Sequence, residues 1–193
     1  VLGALVCGAM LAYLRDRADQ SLRTPDDVVK RTGIRIIGTT ISIRTIKPAL
    51  LPEHIAGDYQ TIRTNLGLLD GEGIPKKLVV TSPGMREGKT TFAINLATSL
   101  AGSGKKVLLI DGDLRKPDIA RLLSLPPGSS SLQAVLLGKE SDRTVYSIPS
   151  TGLDILVADS HNKKADAYEL LASPDALRHI DTVSQKYDHV LSL

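Results

Sequence analysis

The 193-residue sequence predicts an α/β fold: a mostly parallel, doubly wound sheet flanked by helices, with an apolar helix ahead of it. Three observations carry that prediction. From Lys77 onward, short apolar runs alternate with helical periods; a glycine-containing loop joins the first run to a helix; and the second run ends in carboxylates at alternate positions. The length suits one such domain with a short appendage. With 42% apolar and 23% charged residues the composition is that of a globular chain, and with only 3% aromatics the core must be aliphatic.

The first element is the uncharged run Val1 to Leu14, followed by Arg15, Arg17 and Arg23. Its length falls short of the roughly 20 residues that span a bilayer, and basic residues after an apolar run mark its cytoplasmic side. Residues 1–23 are therefore expected to be the end of a transmembrane helix and its basic juxtamembrane segment, at the inner membrane with the rest of the chain in the cytoplasm. A signal peptide would carry its charge before the run. The net charge of +3 has no aromatic residues interleaved with the basic ones, which argues against a nucleic-acid partner. Cys7 is the single cysteine, so no internal disulfide forms.

Residues 24–52 are expected to be a juxtamembrane linker. Thr24-Pro25-Asp26-Asp27 starts a short helix that should end near Gly33; Ile34 to Ile43 reads as extended, and Pro48 to Pro52 as a connector. Residues 53–193 are expected to form the α/β domain itself, with the chain stopping at or inside its last strand. A helix from Pro52 to Leu69 places Ile55, Tyr59, Ile62, Leu66 and Leu69 on one face, and Asp70 to Gly73 stops it. Strands are expected at Leu78–Thr81, Val107–Ile110, Leu153–Val157 and Val190–Leu193. Helices are expected at Lys89–Ala101, near Ile119–Leu123, Leu132–Leu137 and Ala167–Leu171, and at Pro174–Tyr187.

Two motifs carry chemistry. Thr81-Ser-Pro-Gly-Met-Arg-Glu-Gly-Lys-Thr-Thr91 lies between strand and helix, where a phosphate-cradling loop must lie. Gly84, Met85, Arg86, Glu87, Gly88, Lys89, Thr90 and Thr91 are the expected nucleotide-binding residues: loop amides wrap the phosphates of ATP or ADP, Lys89 neutralises their charge, and the Thr90 hydroxyl binds Mg²⁺. The usual first glycine is replaced by Pro83, with Gly84 adjacent. This motif makes the expected fold that of a P-loop NTPase. The second motif, Val107 to Pro117, ends an apolar strand in Asp111 and Asp113, with Arg115 after them. Carboxylates at i and i+2 leave a strand end on one side, so both are expected at the Mg²⁺ and one as proton acceptor, making Lys89, Asp111 and Asp113 the candidate catalytic residues. His54, His161, His179 and His189 lack metal-ligand spacing.

Together the motifs resemble the bacterial tyrosine kinases fused to polysaccharide co-polymerases, which follow a P-loop with a strand reading Asp-x-Asp-x-Arg. The resemblance extends to the apolar start with Arg-Thr-Pro-Asp-Asp27, to Tyr59-Gln-Thr-Ile-Arg-Thr-Asn-Leu66 and to Glu169-Leu-Leu-Ala-Ser173. It implies a fold of the ParA/MinD-like group, ATP-dependent tyrosine autophosphorylation, a homo-oligomeric ring of neighbouring subunits, and polysaccharide export machinery as partner. The early lysine of ParA and MinD proteins falls on Gly84. The family's Glu-x-x-Arg-x-x-Arg for ring contacts falls on Gly57, Gln60 and Arg63, of which only Arg63 matches. Its Mg²⁺-linked aspartate after the last strand falls on Leu193 in an ungapped placement, so it is either replaced or displaced along the chain. The alternatives are an ATP-binding regulatory domain without catalysis and, more remotely, a ParA/MinD-like ATPase.

Overall fold

The computed structural model describes residues 2–18, 24–40, 53–69, 71–113, 117–139, 144–158 and 172–193. They fall into two compact units, residues 1–39 and 40–193. The helix expected at 167–171, the connector at 48–52 and the Glu169 stretch lie outside the described residues.

The described residues of the first unit form two helices. Helix α1, Leu2–Ala18, leaves Leu5, Val6, Met10, Leu11, Tyr13 and Leu14 each more than half exposed. Among the described residues no helix is long and apolar enough to cross a membrane. Helix α2, Pro25–Thr32, begins and ends where its sequence says it should. The Thr24 hydroxyl accepts from the Asp27 N–H at 3.2 Å and the Asp27 carboxylate accepts from the Thr24 N–H at 3.1 Å, closing a capping box worth about 1 kcal/mol. Gly33 stops the helix in the left-handed conformation, φ 69°, donating to the Val29 carbonyl at 2.9 Å.

The second unit is built on a five-stranded sheet: β1 Lys77–Val79, β2 Val107–Ile110, β3 Tyr146–Ile148, β4 Leu153–Leu156 and β5 His189–Ser192, in the order β1-β5-β2-β4-β3. β5 runs parallel to both β1 and β2, and β2 parallel to β4. This is the mostly parallel sheet expected from the sequence. The departure is β3, an antiparallel edge strand joined to β4 by the turn at Pro149 to Gly152. Gly152, φ 68°, donates to the Ile148 carbonyl at 2.9 Å and closes that turn.

Among the described residues five helices accompany the strands: α3 Glu53–Leu68, α4 Lys89–Ala101, α5 Ile119–Leu122, α6 Leu132–Leu136 and α7 Pro174–Ser184. Leu108, Ile110, Leu156 and Val190 bury one sheet face against Leu132, Val135 and Leu136 of α6 and Ala176 and Val183 of α7. Alternate residues of a strand face opposite ways, so the fully buried Val107, Leu109, Ile155 and Leu191 belong to the other face, where α4 packs. α3 lies outside α4, burying Ile55, Tyr59, Ile62 and Leu66, with the Tyr59 and Phe92 ring centroids 5.5 Å apart. α7 ends at Ser184, three residues before the expected Tyr187. The reason is that Tyr187 turns to donate its hydroxyl to Asp154 at 2.8 Å, while the Asp188 carboxylate accepts the Lys106 N–H at 2.8 Å to start β5.

Leu191, with no exposed surface, sits in the strand between β1 and β2. Leu191→Ala is expected to destabilise the chain by about 2–5 kcal/mol, read as a lowered midpoint of urea unfolding.

Candidate functional site

The four parallel strands share one direction, so their C-terminal ends meet at one edge of the sheet. The loop Val80–Gly88 leaves β1 there, Asp111 leaves β2, and Leu193 follows β5 between them. Open α/β sheets hold their ligands outside the carboxyl ends of their strands, and this is that edge. The Val80 N–H donates to Ser192 at 2.8 Å and the Leu193 N–H to Ile110 at 3.3 Å, so pairing continues to the rim. Gly112 permits the last step of the approach. A Cβ there would lie 2.5 Å from the Leu193 carbonyl oxygen, and only glycine fits.

The phosphate loop is formed as its sequence requires. Gly88, φ 88°, turns the chain left-handed into α4, its carbonyl accepts the Phe92 N–H at 2.8 Å, and no side chain caps the helix start. The first-turn amides of Lys89, Thr90 and Thr91 therefore have no intrahelical partner and suit an anion. Arg86 is also left-handed, φ 63°, and alternation of this kind directs successive N–H groups to one side. Lys89 and Thr90 are half-buried at the helix start, Thr91 is exposed, and Met85 at the loop tip is 88% exposed. Gly84 is held within the loop, its N–H donating to Glu87 Oε2 at 3.0 Å and its carbonyl accepting from Ser82 Oγ at 2.8 Å.

The two aspartates differ in their surroundings. Asp111 is 1% exposed, and its carboxylate accepts the N–H groups of Asp113 at 3.2 Å, Asp118 at 3.0 Å and Ile119 at 3.0 Å. It closes the connection from β2 to α5. Burial pushes its pKa upward, opposed by those three donors. Asp113, two residues on, is half-buried. Arg115 lies outside the described residues. Among the described residues no three His, Cys, Asp or Glu side chains gather to hold a metal. A site with a threonine hydroxyl and one or two carboxylates fits Mg²⁺, which takes its remaining ligands from phosphate and water.

Sequence reasoning did not anticipate the place of Arg63. Its guanidinium donates to the Ser99 carbonyl at 2.5 Å, satisfying the C-terminal end of α4 rather than facing outward. A basic residue on an otherwise apolar helix face was the only available sign.

Residues 86–192 match the family described as an AAA domain. Over 101 residues, 52% of this chain and 42% of the relative, the sequence is 42% identical to the tyrosine-protein kinase YwqD of Bacillus subtilis. It is 36% identical to the succinoglycan biosynthesis transport protein ExoP of Rhizobium meliloti over 107 residues, 54% of this chain and 14% of the relative. The chain thus spans less than half the length of either. Among solved structures the BceF tyrosine kinase domain superimposes with a TM-score of 0.70 at 25% identity, covering 89% of this chain and 75% of that one.

Two outcomes follow from the rim geometry. Gly112→Ala should separate the ends of β2 and β5 and cost about 1–3 kcal/mol of stability, measured by urea unfolding. Because the folded chain holds the Asp111 proton more tightly than the unfolded chain, stability falls as pH rises from the ordinary value of 3.8 through the raised one. In Asp111→Asn that fall should be shallower in urea titrations at matched pH.

Proposed function

We propose that this chain, which belongs to the AAA domain family, binds Mg-ATP and transfers its γ-phosphoryl group to tyrosine, as the cytoplasmic domain of an inner-membrane protein that controls exopolysaccharide or capsule chain length and export. The observation that carries the reading is the loop Gly84–Thr91, which turns left-handed at Gly88 into the uncapped start of α4 at the C-terminal edge of the parallel strands. The kinase name of YwqD and the transport name of ExoP support the activity and its setting. The uncharged, exposed run of α1 supports a place at the membrane.

In this reading the α4 amides and Lys89 hold the β- and γ-phosphates and disperse the charge that develops on transfer. The Thr90 hydroxyl, with Asp113 and Asp111 as the candidate carboxylates, would hold Mg²⁺, which would neutralise phosphate oxygens. Asp111 already accepts three backbone N–H groups, so it orients the loop that carries Asp113. Asp113 is then the better-suited acceptor for the tyrosine proton. The acceptor tyrosine is not Tyr59, which is 2% exposed, nor Tyr187, whose hydroxyl is held by Asp154.

A second reading, ATP binding that regulates export and assembly with neighbouring subunits without phosphoryl transfer, is favoured by two particulars. In an ungapped placement Leu193 takes the position of the family's aspartate, and Arg63 is spent on Ser99 within the chain. The two readings separate in one assay. With Mg-ATP, phosphotyrosine should form and fall by about 100-fold or more in Lys89→Ala. Signal unchanged in that variant contradicts the assignment, and ATP binding without any phosphotyrosine decides for the second reading.

A further inference from the structure

The phosphate loop carries a negative charge where it must receive one. Glu87 folds back over its own loop so that Oε2 accepts the Gly84 N–H at 3.0 Å, while a Cβ at position 84 would lie 2.8 Å from Oε1. Any side chain at 84 would displace that carboxylate, so the fold-back of Glu87 requires a glycine at 84. The Gly84 carbonyl is taken as well, by Ser82 Oγ at 2.8 Å, which fixes the peptide in this orientation. Every other feature of the loop favours an anion: two left-handed residues, an uncapped helix start and Lys89. A carboxylate bound to a loop amide makes the same charge-assisted contact that a phosphate oxygen would make.

We propose that Glu87 is an anionic placeholder that occupies the Gly84 amide until phosphate takes its place, so that nucleotide binds against its charge. The inference rests on the phosphate-binding reading of this loop and adds a control on it. The exposed Glu87 side chain can swing outward without disturbing the core. Its return helps eject the diphosphate product, and the loop keeps its shape between one nucleotide and the next. The competing role is that of a brace, in which Glu87 merely holds the loop open for phosphate.

The two roles predict opposite signs. Wild-type chain, Glu87→Gln and Glu87→Ala are titrated calorimetrically with Mg-ADP and, separately, with pyrophosphate, at low and at physiological salt; circular dichroism melting checks that each variant is folded. A placeholder gives tighter binding of both ligands in Glu87→Gln by about two- to fivefold, the size of one solvent-exposed charge interaction, with the gain shrinking as salt rises. Unchanged or weaker binding in Glu87→Gln overturns the proposal, and if Glu87→Ala does not fold, Glu87→Gln alone decides. Wild-type chain that binds neither ligand overturns the phosphate-binding reading itself. Wild-type binding without the gain removes only the placeholder.

Discussion

The pairing of β5 with both β1 and β2 is the constraint on which the rest of the site depends. Loop, helix and carboxylates are contributed by segments distant in sequence. They meet because the final strand enters between the first two and runs in their direction. The interval from the phosphate loop to Asp111 is thereby bridged by backbone hydrogen bonds rather than by side chains. Such bonds hold register tightly, since a slip of one residue would turn the buried Val190 and Leu191 to the wrong faces. Gly112 completes the closure by removing the one side-chain atom that would hold Leu193 away.

Around that edge, several polar groups divide their duty between folding and chemistry. Asp111 is buried, which disfavours its charge, and it is retained because three amides of the following turn depend on it. Its contribution to the site is therefore the position of its neighbours. Arg63 supports the far end of the P-loop helix through Ser99, so α3 steadies α4 at the end opposite the phosphates. With Tyr59 against Phe92 nearer the start, the helix that heads the loop is held along its length by another helix. A phosphate cradle needs such stiffness, because amides aimed beforehand do not have to be reorganised when charge arrives.

Much of this was legible in the sequence, for identifiable reasons. α4 was read with both its limits correct, because Gly88 marks its start and Gly102 its end. The solid run Val107 to Ile110 could only be a strand buried on both faces. β3 was missed: three residues at an antiparallel edge, Tyr146-Ser-Ile148, bury only part of their surface and leave no apolar run to find. The loop was recognised from Gly88-Lys89-Thr90, but the fold-back of Glu87 depends on a left-handed Arg86 that no local pattern announces. The same holds for Asp111. The amides that its carboxylate accepts come from Asp118 and Ile119, seven and eight residues later, which no local pattern announces.

The central claim is that phosphate binds at the edge where β1, β5 and β2 end. Amide hydrogen exchange with and without Mg-ADP tests it most directly, since it reads each segment separately. The account predicts slowed exchange in residues 84–92 and at Leu193 and Gly112, with no change at the opposite edge, in residues 71–77 and 104–107. Protection confined to that opposite edge, or spread evenly with none at the loop, would contradict it.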